Sequence, residues 1–162
     1  MSTYALVRPD GTLDRVLHNI DPTAGLKPGW RWAPVENVSA PPHNRALEIV
    51  RSTYVLVDDN AVEEWTVERR PISEQRAAVK EEARRRILGR YPDWKQINMT
   101  ARAGELIKLM VVKGSLTEAE QAEVAALEAA WAWIKAVRAR SDEIEAIDPI
   151  PADFAADSRW PE

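Results

Sequence analysis

Two histidines, His18 and His43, are the side chains best suited to move a proton near neutral pH or to bind a transition metal. A zinc site built from histidine and carboxylate needs several ligands that converge, and the chain has no cysteine to add to them. His18 lies in a segment with strand character and His43 in a proline-rich loop. We therefore predict no metal site and no catalytic histidine.

Acidic residues form two short clusters. Asp58-Asp59-Asn60 resembles a fragment of a calcium-binding loop, but the complete ligand spacing and the closing glutamate are absent, so we predict a hairpin turn. Glu143, Glu145 and Asp148 are more simply the solvated end of a helix. The sequence also lacks a glycine-rich phosphate loop and a nucleophile motif. We predict no catalytic residue, no cofactor and no enzymatic activity.

The run Arg84-Arg85-Arg86 is a candidate contact for single-stranded nucleic acid, with Trp94 available for stacking. Residues 67–90 hold 8 basic and 4 acidic side chains, whereas residues 141–162 hold 1 and 7. We interpret the arginines as a helix face that pairs with neighbouring glutamates or with the acidic tail. The net charge of −4 and the pI near 5.4 argue against nucleic acid as the main partner.

The start of the chain and its hydropathy bear on its location. Met1–Tyr4 has no basic region followed by a long apolar run, and no stretch approaches the roughly 20 apolar residues of a membrane span. We expect no signal peptide, no membrane partner and a cytoplasmic protein.

Residues 1–70 are predicted to form a β-rich domain, a small twisted antiparallel sheet of four or five strands. The last two strands flank the acidic turn as a hairpin. A bulge is expected where Val62, Trp65 and Val67 fail to alternate. The predicted extended segments are Thr3–Val7, Leu13–Ile20, Trp30–Val35, Ala46–Val57 and Ala61–Val67.

The hydrophobic period changes from two to 3.6 near Arg70-Pro71, which predicts helices from there onward. Ser73 is the expected N-cap of the first helix. Pro92 pushes Tyr91 out of the helical region and ends that helix. Asp93 is expected to cap the second.

The second helix is predicted to turn one broad apolar face toward the core. Its expected members are Met99, Ala103, Leu106 and Met110, thickened by Ile97, Ala101, Ile107 and Val111. Gly104 costs about 1 kcal/mol relative to alanine, which the close approach of a neighbouring helix would explain. Gly114 suits the left-handed position after the last turn. Trp94 is expected to bury the joint together with Tyr91.

Thr117 and Glu120 form a capping-box pattern at the start of a third helix of about 30 residues, roughly 45 Å long. Trp131 lies on its apolar stripe and Trp133 does not. Because this helix is longer than a small bundle needs, we expect its far end and Trp133 to meet a partner.

The last residues, 148–162, are acidic and contain three prolines, which predicts an extended tail. Ile150, Phe154 and Trp160 are spaced along it as anchors, and with Trp133 they are the predicted partner-binding residues.

These predictions amount to an α+β protein. A β-rich domain over residues 1–70 precedes a helical domain of a hairpin or three helices over residues 71–147. The tail over 148–162 follows.

One stretch resembles a segment of small tail-associated proteins of tailed bacteriophages: Ile87-Leu88-Gly89-Arg90-Tyr91-Pro92-Asp93-Trp94-Lys95-Gln96-Ile97-Asn98-Met99-Thr100-Ala101-Arg102. A strand similar to theirs, Val62-Glu63-Glu64-Trp65-Thr66-Val67, precedes it, and the likeness covers about residues 50–112. The residues that carry the motif are Tyr91, Pro92, Trp94, Lys95, Gln96 and Asn98.

This layout is similar to that of tail-fibre assembly proteins. The resemblance implies a non-enzymatic protein, either a chaperone of fibre assembly in the host cytoplasm or a small adaptor at the tail tip or baseplate of the virion. Its partner would be a fibre or baseplate protein, or a second copy in a homo-oligomer. The alternative is a small nucleic-acid-binding regulator that uses the basic helix over residues 73–90.

Overall fold

Within the residues that the structure describes, five β-strands form where β-branched and aromatic residues cluster between turn residues. They are β1 (Thr3–Val7), β2 (Leu13–His18), β3 (Arg31–Glu36), β4 (Glu48–Val57) and β5 (Asn60–Arg69). They form one sheet in the order β2-β1-β3-β5-β4. The structure, a computed structural model, describes residues 3–22 and 25–162.

The sheet is mixed, whereas the sequence predicted an antiparallel one. β3 and β5 run parallel, with Val35 opposite Ala61 and Glu36 opposite Val62. β4 runs antiparallel to β5 and pairs with its far side. The chain therefore reverses twice, between β3 and β4 and again between β4 and β5, and β3 and β5 run in the same direction. All other neighbouring strands are antiparallel, and small buried side chains fill the centre of the sheet. These are Ala5, Val7, Ala33 and Ala61.

The β4–β5 hairpin has the predicted turn but not the predicted bulge. Asp58 and Asp59 have φ values of 47° and 69°, the left-handed geometry expected of a tight two-residue turn. The register is continuous along the whole hairpin, so a bulge near Trp65 is wrong. β3 pairs with only the first residues of β5. The rest of the β4–β5 hairpin is a two-stranded ribbon, in which apolar and polar side chains need not alternate strictly.

Three α-helices follow in residues 71–162, all of which are described: α1 (Ile72–Arg90), α2 (Asp93–Lys113) and α3 (Glu118–Glu145). The chain divides into two compact units, Met1–Arg70 and Pro71–Glu162. The α+β class is therefore confirmed. The predicted separate tail belongs to the second unit.

Two predicted helix caps are wrong. α1 begins after Pro71 and α2 after Pro92, and neither helix start has a side-chain cap hydrogen bond. Ser73 and Asp93 lie inside the first turn instead. Because proline has no N–H and a fixed φ, it fits the residue before the first turn without a capping side chain.

Local signals around α3 are confirmed. Thr117 and Glu120 form a complete capping box, with the Glu120 backbone N–H donating to Thr117 Oγ1 at 3.2 Å. Gly114 ends α2 with a φ of 77°. The neighbouring helix expected beside Gly104 is not present among the described residues, since none of their atoms outside the local helix backbone lies within 4 Å of the position a Cβ would take.

The far end of α3 contacts other parts of the same chain, which the sequence did not predict. Arg76 of α1 donates from Nε to the Glu145 carbonyl at 3.1 Å, and Lys80 Nζ lies 3.4 Å from the Glu145 carboxylate. Arg140 donates from Nε to the Arg159 carbonyl of the tail at 2.7 Å. α1 and the tail therefore serve as the intramolecular partners of this half of α3.

Candidate protein-contact site

The three predicted tail anchors are core residues. Ile150, Phe154 and Trp160 are between 0 % and 5 % exposed, and the Trp160 indole donates from Nε1 to the Phe154 carbonyl at 2.7 Å. The tail folds through turns and a short 3₁₀ helix, Asp157–Arg159, so the predicted extended shape is wrong. Because Ile150, Phe154 and Trp160 are buried, they are not accessible to a partner in this structure, unlike the predicted partner-binding residues.

Arg86 of α1 joins the basic helix to the acidic tail. Its guanidinium donates from Nη2 to Asp157 Oδ1 at 2.8 Å and lies 5.2 Å from the centre of the Trp160 ring. Its Nε donates to Glu82 at 2.7 Å. The side-chain hydrogen bond from Arg85, opposed by burial and aided by Arg86, lowers the pKa of the Glu82 carboxyl. The predicted pairing is confirmed for Arg85 and Arg86, which both bind Glu82, and Arg86 also binds the tail.

The joint between α1 and α2 carries most of the motif that resembles tail proteins. Gln96 donates from Nε2 to the Tyr91 carbonyl at 2.7 Å, which holds the chain at the corner after Pro92. Lys95 Nζ lies 5.0 Å from the centre of the Tyr91 ring. The Tyr91 ring packs on Trp133, with ring centroids 5.7 Å apart.

Trp133 is half-buried by its own unit. The guanidinium of Arg90 lies 4.7 Å from its ring, and its Nε1 donates to the Glu162 carbonyl at 2.8 Å. Its own unit therefore covers part of the Trp133 ring, and a contact between Trp133 and a partner stays a prediction. Its position off the core stripe reflects contacts with the α1–α2 joint and the end of the chain.

Trp94, Lys95 and Asn98 are the motif residues that the structure leaves exposed. Trp94 is 64 % exposed, so it does not bury the joint as predicted. It lies in the first turn of α2, from where it starts a larger apolar surface.

α2 exposes most of its apolar side chains. Only Met99 and Leu106 are buried, although the sequence predicted a broad core face. Six large apolar side chains are between 57 % and 83 % exposed. They are Trp94, Ile97, Ile107, Met110, Val111 and Val112. The apolar stripe of α2 is wider than the part that α3 covers, so the remaining apolar side chains face outward.

Part of this surface forms one wall of a groove between α2 and α3, here called the α2–α3 groove. It encloses about 260 Å³. A shallower continuation toward the start of α2 is lined by Ile97, Thr100 and Ala101 and shares Trp131. The groove lining is mainly apolar and includes Leu106, Ile107, Met110, Val124, Leu127 and Trp131. Such a lining suits apolar side chains from another helix.

Neither histidine lies in a candidate metal site. His18 Nδ1 is 3.0 Å from Thr3 Oγ1, and His43 Nδ1 is 3.1 Å from the Pro41 carbonyl. Within residues 3–22 and 25–162, no three histidine or acidic side chains are grouped to hold a metal ion. In the same part of the chain, no helix has the length and apolar content needed to cross a membrane.

Comparisons with protein-family models, with curated proteins and with solved structures found no significant match to this chain.

Proposed function

We propose that this chain is a non-enzymatic protein of a bacteriophage tail that acts by binding other proteins. It serves either as an assembly factor for the tail fibre in the host cytoplasm or as a small adaptor at the tail tip or baseplate. The proposal starts from the resemblance carried by Tyr91-Pro92-Asp93-Trp94-Lys95-Gln96. Its structural support is the exposed apolar surface of α2.

That surface is the observation that carries the proposal. Val112, at 83 % exposure, and Trp94, at 64 %, face water on a helix that the fold holds in place from one side. Several exposed apolar side chains on one helix are characteristic of a surface that another molecule covers. A tryptophan at such a surface is among the residues that contribute most when an interface forms.

The motif and the surface are physically connected. Tyr91 and Gln96 set the direction in which α2 leaves the joint, because the hydrogen bond between them crosses the corner. Trp94 and Ile97 are then the first apolar residues of the exposed surface. In this proposal the motif positions the contact helix and supplies its leading side chains.

The test is co-expression with the fibre or baseplate protein encoded beside this chain, followed by affinity capture and measurement of Kd. We expect a stable complex with one of them. Trp94→Asp and Val112→Asp should each weaken it by about 30-fold or more, the loss for a hot-spot residue worth about 2 kcal/mol.

Val38→Asp is the matched control, because Val38 is an exposed valine of the N-terminal unit. It should leave the affinity unchanged. The proposal is contradicted if neither the fibre nor the baseplate protein binds. It is also contradicted if Val38→Asp weakens binding as much as Trp94→Asp and Val112→Asp do.

A further inference from the structure

The α2–α3 groove has the sequence pattern of a second packing seam. Ile97, Thr100, Gly104, Ile107 and Val111 follow a 3-4-3-4 spacing along α2, which is typical of a helix that packs against another along its length. Three of them, Ile97, Thr100 and Ile107, line the groove or its continuation. The space beside Gly104 is open, so a partner helix could approach closely there.

The two helices that flank the groove carry opposite charge. α2 has four basic and two acidic side chains. The first half of α3, residues 118–131, has four acidic side chains and no basic one. Within the chain this attraction already joins Arg102 to Glu123 at 2.8 Å. Lys108 and Glu128 form no ion pair in the described part of the chain.

Both helices present accessible apolar side chains at the groove. Three α2 side chains that are more than half exposed and three half-buried α3 side chains line it. The α2 members are Ile97, Ile107 and Met110, and the α3 members are Val124, Leu127 and Trp131.

We propose that the α2–α3 groove is occupied by the α2–α3 hairpin of a second copy of this chain. The two hairpins form a four-helix arrangement about a two-fold axis, in which each α2 lies against the α3 of the other copy. Opposite charges then lie side by side, and helices of like charge lie diagonally. A fibre or baseplate helix would not in general supply this self-complementary pattern.

The inference deepens the proposed function by naming the occupant of the groove, and it rests on that function only in treating α2 as a contact helix. The exposed apolar residues Trp94 and Val112 of α2 do not line the groove, so they stay available to a tail protein.

The experiment is sedimentation equilibrium of the purified full-length chain, with no tail protein present, over a range of concentrations and salt. We expect a reversible dimer with twice the mass of the chain. Ile107→Asp and Met110→Asp should raise the dimer dissociation constant at least tenfold. Both side chains are more than half exposed, so these variants should keep the helical circular dichroism of the unmodified chain.

Val112→Asp is the matched control, an exposed aliphatic residue of the same helix that lies outside the groove. It should dimerise like the unmodified chain. Dissociation should become easier as salt rises, because salt screens the α2–α3 attraction. The proposed packing is overturned if dimerisation does not depend on salt. It is also overturned if Val112→Asp raises the dimer dissociation constant as much as Ile107→Asp does.

The two proposals fail separately. A chain that stays monomeric at every concentration overturns self-association, and if Ile107→Asp then loses binding to a tail protein, that protein occupies the groove. A dimer that dissociates with Ile107→Asp but binds neither tail protein contradicts the proposed function and leaves self-association intact.

Discussion

The indole of Trp133 donates a hydrogen bond from Nε1 to the backbone carbonyl of Glu162, 2.8 Å away, and so ties the last residue of the chain to the middle of α3. The same end of the chain inserts Trp160 into the core of its unit and places Asp157 against Arg86. The tail is therefore part of the fold of the C-terminal unit.

Trp160→Ala should lower the free energy of unfolding of the C-terminal unit by about 3–5 kcal/mol, the usual cost of removing a buried aromatic side chain. Deletion of residues 148–162 should destabilise it further, because Ile150 and Phe154 leave the core as well. Denaturant unfolding followed by circular dichroism measures both. Trp94→Ala, an exposed tryptophan, should change the value by less than about 0.5 kcal/mol. A truncated chain as stable as the full one would show that the tail does not belong to the core.

Glu82→Gln should lower stability at neutral pH by about 1–2 kcal/mol, because the carboxylate accepts charge-assisted hydrogen bonds from Arg85 and Arg86. The pKa of Glu82 in the folded chain is below its ordinary value of 4.5. Its contribution is therefore present above that value and is lost as the pH falls through the lower folded pKa.

Unfolding free energies measured between pH 3 and pH 7 should converge for Glu82→Gln and the unmodified chain at the acid end. Glu81→Gln, an exposed neighbour, is the control and should follow the unmodified chain throughout. A constant difference across the whole pH range would exclude titration of Glu82 as its source.

Gly104→Ala should stabilise the isolated chain by about 1 kcal/mol, since alanine is the better helix former and the added Cβ has open space. Gly114→Ala should do the opposite, because its φ of 77° disfavours a side chain. Thermal unfolding at a concentration below self-association compares the two. In the dimer Gly104→Ala should weaken association, and a stabilised chain with unchanged dimerisation would place Gly104 outside the interface.

DNA should not bind this chain with useful affinity at physiological salt. Arg85 and Arg86 are held by Glu82, and Arg86 also by Asp157, so phosphate must compete with carboxylates already in place. Gel-shift assays with single- and double-stranded DNA should show no complex at protein concentrations below about 1 μM. Nanomolar, salt-sensitive binding would favour the nucleic-acid-binding regulator over the tail protein.

Local chemistry was enough to predict much of the fold. The turn at Asp58-Asp59, the capping box of Thr117 and Glu120, and the helix stop at Gly114 each depend on residues within a few positions of one another. The division of the chain into two units near Arg70-Pro71 could also be predicted, because the spacing of hydrophobic residues in the sequence changes there.

Only the tertiary structure decided which apolar residues are covered. Ile97 and Val111 are apolar residues on a predicted core face, yet they are exposed. Phe154 and Trp160 lie in an acidic, proline-containing segment of the sequence, yet they are buried. Periodicity identifies an apolar face but not the element that packs on it. That choice depends on contacts between residues about 70 positions apart, such as Arg76 with the Glu145 carbonyl, and no local pattern encodes them.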